Sequence, residues 1–285
     1  MRPDIGDLLR DLPFRAAGGP VVVCEGDLNG LDQQVFEKWA AHAGARVAFR
    51  GVGGWPSVVW ALQAVPGCEP RLSLYGIVDR DVTPIADVGT ATRAVDPPGL
   101  LRLPYYSLES YLLEPEGWVR VARALAGLSS PQAEWGTVKC ATERIAEHYQ
   151  AVAHAAVHNR VVSDLAARYS DHPQFSRRTH WDSVDAIRGE PDVRALVLSW
   201  ASSFADEGEA ARLVDQAEHD VGSAEGMRVH VPGKLVLRMV QQDLSGSVRG
   251  GFPSTYQLLS LYIHEYPEAP EHILALFHRI ACGSL

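Results

Sequence analysis

The sequence predicts an α/β protein in which a parallel-sheet domain is followed by a mainly helical C-terminal domain. Three observations carry that expectation. Short continuous apolar runs, beginning with Val21-Val22-Val23-Cys24, have the composition of strands buried on both faces. These runs alternate with helical spacings over about the first hundred residues, the signature of a sheet wound by helices on both sides. Beyond Pro115 the character turns helical and stays so.

The elements follow in order. Gly19-Pro20 precedes the first strand at residues 21–24, which ends in Glu25-Gly26. Leu31, Val35, Phe36, Trp39 and Ala40 then recur at helical spacing. Residues 46–49 read as a second strand closed by Gly51-Val52-Gly53-Gly54, and Trp55-Pro56-Ser57 opens a second helix. Residues 72–78 form a third strand that runs into Asp79-Arg80-Asp81. Residues 84–98, rich in Gly, Pro and Asp, read as a loop, and 100–106 as a fourth strand. Ala141, Ile145, Tyr149, Val152, Ala156, Val162 and Leu165 make one stripe along a long amphipathic segment. Further helices are expected at 192–204, 207–221, 234–244, 254–264 and 271–281, with Ser254 as a cap and Pro270 at a first turn. The domain division expected from this pattern is 1–116 and 117–285.

Bulk properties narrow the class. The 285 residues are 46% hydrophobic and 21% charged, a composition that supports a packed core rather than disorder. No apolar run reaches the roughly 20 residues that span a bilayer, and the N-terminus lacks the apolar core of a signal peptide, so a cytoplasmic protein without membrane contact is expected. Cys24, Cys68, Cys140 and Cys282 are widely spaced with no Cys-x-x-Cys pair, which points to buried free thiols rather than zinc or disulfides. A net charge of −9 argues against non-specific coating of nucleic acid, yet a bound metal can still draw phosphates to an acidic chain. Lys38, Lys139 and Lys234 are the only lysines; a retained lysine is either drift or a place that needs a compact ammonium.

In open parallel sheets, ligands gather at the carboxyl ends of the strands. Glu25 is expected there after the first strand, and Asp79 and Asp81 after the third. Alternation along an extended chain turns both aspartates to the same side. Crowded carboxylates repel, and a hard divalent ion such as Mg²⁺ relieves that repulsion while sharing its shell with substrate phosphates. Gly26 permits a sharp turn and a close approach to backbone.

Val22-Val23-Cys24-Glu25-Gly26, Gly76-Ile77-Val78-Asp79-Arg80-Asp81 and Leu108-Glu109-Ser110-Tyr111-Leu112-Leu113 together resemble the TOPRIM motifs of OLD-type nucleases. The resemblance is closest to the small stand-alone group found beside ABC-type ATPases in anti-phage systems, and it covers about residues 21–116. It implies a TOPRIM-like fold for the first domain, with Glu25, Asp79 and Asp81 holding Mg²⁺ or Mn²⁺ and Glu109 as a further acidic group. It also implies a lysine from the helical part, matched by Lys234 in Pro232-Gly233-Lys234, to neutralise the scissile phosphate or protonate the leaving oxygen. The implied activity is hydrolysis of nucleic-acid phosphodiesters, DNA or RNA (tRNA included), by a toxic effector under the control of a partner ATPase. A homodimer is the default assembly. Two departures bear on a second metal: Asn29 stands where an acidic residue is usual, with Asp27 and Asp32 near, and Ser110 replaces an asparagine.

Two rivals stay open at this point. Ile77 to Thr83 also fits the first motif of HAD-type phosphatases, with Asp79 as nucleophile and Asp81 as general acid, although two strand–helix units precede it here. A non-catalytic sensor or scaffold bound to an ATPase is the other. His154 and His158 lie four apart on the long helix but lack the glutamate of a zinc-protease pattern, so core or surface histidines are expected. Arg177-Arg178 and Arg249 suit a solvated surface or a nucleic-acid backbone. Tyr105, Tyr106 and Trp55 suit core packing or base stacking.

Overall fold

The structure is a computed structural model and describes residues 5–16, 19–81, 97–127, 133–169, 192–201, 206–245 and 254–283. In chain order the elements are α1 Ile5–Ala16, β1 Val21–Cys24, α2 Leu31–His42, β2 Ala48–Gly51, α3 Trp55–Cys68, β3 Leu74–Val78 and β4 Leu100–Arg102. Then follow α4 Leu108–Tyr111, α5 Pro115–Ala126, α6 Val138–Arg168, α7 Val193–Ala201, α8 Glu207–Val221, α9 Ala224–His230, α10 Gly233–Ser245, α11 Thr255–Glu265 and α12 Glu271–Ala281. They group into two compact units, Met1–Pro104 with Tyr256–Leu285, and Tyr105–Thr255.

The first unit is built on a four-stranded, all-parallel sheet in the order β2-β1-β3-β4. All four residues of β1 are buried because both faces of the sheet are covered, which is why the run is apolar throughout rather than alternating. On one face Val21, Val23, Val78 and Leu100 pack with Leu8 and Leu12 of α1 and with Val58, Ala61, Leu62 and Val65 of α3. On the other, Phe49 stacks on Phe36 of α2 with centroids 5.5 Å apart, and Phe277 of α12 tilts onto Phe49 at 5.3 Å. The order places β1 and β3 side by side at the centre, and the connections leave them in opposite directions. Their carboxyl ends therefore form the switch point at which open α/β sheets bind ligands.

The second unit is helical. Its centre is α6, 31 residues long, and every residue of the expected stripe from Ala141 to Leu165 is buried along it. Thr137 caps this helix by accepting the Cys140 amide at 3.2 Å. Helices α5, α8, α9 and α10 pack around it.

An α/β protein with a parallel sheet and a helical region is thus what the chain forms, and several expectations need correction. Strand β2 lies two residues later than expected, and β4 stops at Arg102 rather than 106. The chain turns there: Tyr105 donates its amide to the Tyr111 hydroxyl at 2.9 Å, and its ring stacks on that of Tyr111. The compact units meet in sequence at Pro104/Tyr105 and Thr255/Tyr256, and α12 packs with the sheet unit, where Phe277 completes the aromatic layer over β2. Of the four thiols only Cys24 is buried; Cys68 and Cys282 are exposed at the ends of α3 and α12, where the chain leaves the core. The expected loop 84–98, apart from Pro97 and Pro98, lies outside the described residues, as do Arg177, Arg178 and Arg249. No helix among the described residues is long and apolar enough to cross a membrane.

Candidate metal centre

Glu25 follows β1 directly, and its side chain crosses to the neighbouring central strand. Oε1 accepts the Asp79 amide at 2.9 Å, and Oε2 accepts the Trp55 amide, at the start of α3, at 3.0 Å. One carboxylate thereby ties together the ends of β1 and β3 and the N-terminus of α3. Burial raises its pKa above the usual carboxylate value. The Asp79 amide opposes that shift, the charge of Asp81 adds to it, and the Trp55 amide and the positive charge of Arg102 at the end of β4 oppose it.

A staple on α2 holds the loop that carries Glu25. Gln33, only 1% exposed, accepts from the amides of Asn29 (2.9 Å) and Gly51 (3.0 Å) through Oε1, and donates to Glu37 Oε1 at 2.8 Å. Gly53 donates to the Gly26 carbonyl at 2.8 Å, and Val52 to that of Cys24 at 3.1 Å, so the loop is laced to the end of β2. Gly26 has φ +82°, a conformation that disfavours any side chain. Gly51 has no room for one: an added Cβ would lie 2.2 Å from the Asp27 carbonyl oxygen.

The two departures from the motif find local roles. Asn29 adopts φ 56° in a left-handed turn and is held by Gln33. Asp32 stands close to the Glu-Gly turn, its carboxyl carbon 3.2 Å from where a Gly26 Cβ would stand. Ser110 is fully buried against Gly233, whose added Cβ would come within 2.4 Å of the Ser110 amide nitrogen and 2.6 Å of its Oγ. That contact brings the backbone at Glu109–Ser110 against the start of α10. Glu109 and Lys234, 125 positions apart by number (234 − 109), are therefore neighbours within the helical unit, and both are half-buried.

The strand-alternation argument for Asp79 and Asp81 needs correction. Strand β3 ends at Val78, and Asp81 takes φ 49°, so the pair is set by a turn and not by extended backbone. Arg80 between them is wholly buried, while Asp79 is half-buried and Asp81 exposed. The expected residues thus divide between the units: Glu25, Asp79 and Asp81 at the rim of the sheet, Glu109 and Lys234 in the helical unit.

The chemistry of the donors fits a hard divalent ion. The three candidate donors at the rim, Glu25, Asp79 and Asp81, are carboxylates, each Glu25 oxygen keeps a lone pair beyond its amide bond, and the charges of Glu25 and Asp81 repel. Among the described residues no three His, Cys, Asp or Glu side chains converge into a ready metal cage. Mg²⁺ does not require one, since it is ordinarily held by one or two carboxylates together with waters and substrate phosphates. His158 is buried in the helical core with Nδ1 3.2 Å from Asn159 Oδ1.

No family model matches the chain, and no curated protein is significantly similar to it.

Sequence reasoning missed Gln33, Arg102 and the Trp55 amide. A glutamine one turn into a helix carries no signal until its partners are known.

Proposed function

We propose that this protein is a TOPRIM-type, OLD-like metal-dependent nuclease that hydrolyses phosphodiester bonds of nucleic acid. The observation that carries the reading is the bond from Glu25 to the backbone amide of Asp79, which holds the Glu25 carboxylate where the second motif begins, at the switch point of the sheet. Glu25, Asp79 and Asp81 would hold Mg²⁺ or Mn²⁺. The ion supplies positive charge that polarises a scissile phosphate and an attacking water. The chain itself fixes Glu25 through two amides, so the carboxylate needs no reorganisation when substrate arrives. The lysine that the motif resemblance implies is Lys234, which adjoins Glu109 within the helical unit; its task by that resemblance would be to supply an ammonium for the phosphate or the leaving oxygen. A HAD-type phosphatase would use Asp79 and Asp81 without Glu25, so the Glu25 variant separates the two readings. The motif resemblance extends the proposal to a toxic cytoplasmic effector in anti-phage defence, restrained by an ABC-type ATPase.

The test is incubation with plasmid, single-stranded DNA and total RNA in Mg²⁺ or Mn²⁺, with Glu25→Ala and Asp79→Asn alongside. Cleavage lost in both variants is the expected result. Phosphate release from small phosphoesters with Glu25 dispensable would favour the phosphatase, and ATPase binding without any cleavage would favour a scaffold.

A further inference from the structure

Trp55 is half exposed (50%), although it opens a helix packed on the sheet, and its own amide is bonded to Glu25. Its surroundings share that exposure. Leu28, three residues past Glu25, is 49% exposed. Tyr256 is 48% exposed, and its hydroxyl accepts from Gln34, which also donates to the Asn29 carbonyl. Of the four exposed large hydrophobic residues among those described, these three border the Glu25 loop; Val138 is the fourth.

Charge says what such a surface meets. A chain of net charge −9, with carboxylates at the rim, gains little from counterion release when it binds a polyanion. Beyond the charge that a bound metal ion would bring, affinity for nucleic acid must then come from uncharged contacts, and stacking of bases on exposed aromatic rings is one. Stacking needs an unpaired base, because a base inside a duplex already has both faces covered. The ring stands on the same residue whose amide holds Glu25, which puts an exposed aromatic face next to the candidate site.

Resting on the nuclease reading, we infer that Trp55 is a stacking platform for an unpaired nucleobase beside the scissile phosphodiester, which makes single-stranded nucleic acid the substrate class. Trp55→Ala removes the ring and leaves the amide that holds Glu25. The experiment is fluorescence anisotropy in Ca²⁺ with labelled single-stranded DNA and RNA oligonucleotides, each intact or with one abasic nucleotide, together with KM for cleavage in Mg²⁺. Trp55→Ala should raise Kd and KM by about 5- to 100-fold, with kcat less affected, and Trp55→Phe should restore most of the loss. The abasic substitution should weaken the wild type by a similar factor and leave Trp55→Ala nearly unchanged. The salt dependence of wild-type binding should be shallow. Wild-type cleavage with Trp55→Ala unaffected on all substrates overturns the stacking role and leaves the nuclease standing. So does a duplex bound as tightly as its separated strands. Absence of any binding or cleavage by the wild type overturns both.

Discussion

Oε1 of Glu25 accepts the backbone N–H of Asp79 across 2.9 Å, although 54 positions separate the two residues. The bond lies where the two central strands end, so the Glu25 carboxylate holds the backbone at which the second motif begins. Glu25→Ala is expected to lower cleavage by at least about 100-fold. Millimolar Mg²⁺ should raise the melting temperature of the wild type and not of the variant. An ion at 100 times its Kd contributes about 2.7 kcal/mol of stability. Differential scanning fluorimetry with and without Mg²⁺ checks this; equal shifts in both proteins would move the ion elsewhere.

Gly51→Ala tests the lacing of the Glu25 loop. The new Cβ would meet the Asp27 carbonyl oxygen at 2.2 Å and the Gly26 carbonyl oxygen at 2.9 Å, both backbone atoms with little freedom to yield. A loss of about 1–3 kcal/mol is expected, together with reduced activity, because the loop must shift. Gly67→Ala, in α3 with nothing within 4 Å, is the control and should be neutral or slightly stabilising. Chemical denaturation of both variants compares them.

Phe277→Ala tests the placement of α12. The ring is fully buried and touches both Phe36 and Phe49. Its truncation should cost about 3–5 kcal/mol and loosen the sheet unit before the helical one. Hydrogen exchange resolves the two: faster exchange in β1 and β2 with α6 unchanged is the expected pattern, and the reverse would contradict it.

A half-buried polar cluster is expected to shape the acid limb of stability in the helical unit. Arg144 donates to both oxygens of Asp243 at 2.6 and 2.9 Å, and His148 Nε2 lies 2.8 Å from Oδ2. Burial lowers the His148 pKa despite its carboxylate neighbour. Burial pushes Asp243 up, but its bonds to Arg144 and His148 overcome that and hold it below the usual value. Both groups bind protons more weakly folded than unfolded, so stability falls as pH falls. The His148 share is complete above its unfolded pKa, about 6.5, and fades below it; the Asp243 share is complete above about 3.9 and is lost at lower pH. Asp243→Asn should cost about 1–3 kcal/mol at pH 7 and flatten the limb below pH 4. Unfolding by denaturant at pH 7, 5 and 3.5 measures it, and parallel curves for wild type and variant would remove the cluster from the account.

Much of the fold was legible because it rests on local pattern. The run Val21–Cys24 is apolar throughout because both its faces are covered, and the stripe from Ala141 to Leu165 repeats at the helical period. The ends of α8 and α12 coincide with their patterns for the same reason. Phe277 was not legible as part of the sheet unit, since an amphipathic helix records that it has a partner and not which one. The turn at Asp81 was not legible either, because a left-handed aspartate looks in sequence like one more strand residue.

By itself the sequence determined the element types, the parallel sheet and the acidic residues at strand ends, all consequences of burial period and turn chemistry along a few neighbouring positions. Only the tertiary structure decided that Glu25 bonds to Asp79 and Trp55, that Gln33 secures the loop between them, and that Gly233 brings Lys234 to Glu109. Those relationships join residues distant along the chain, and their energies depend on separations of an ångström or less, which no local pattern encodes.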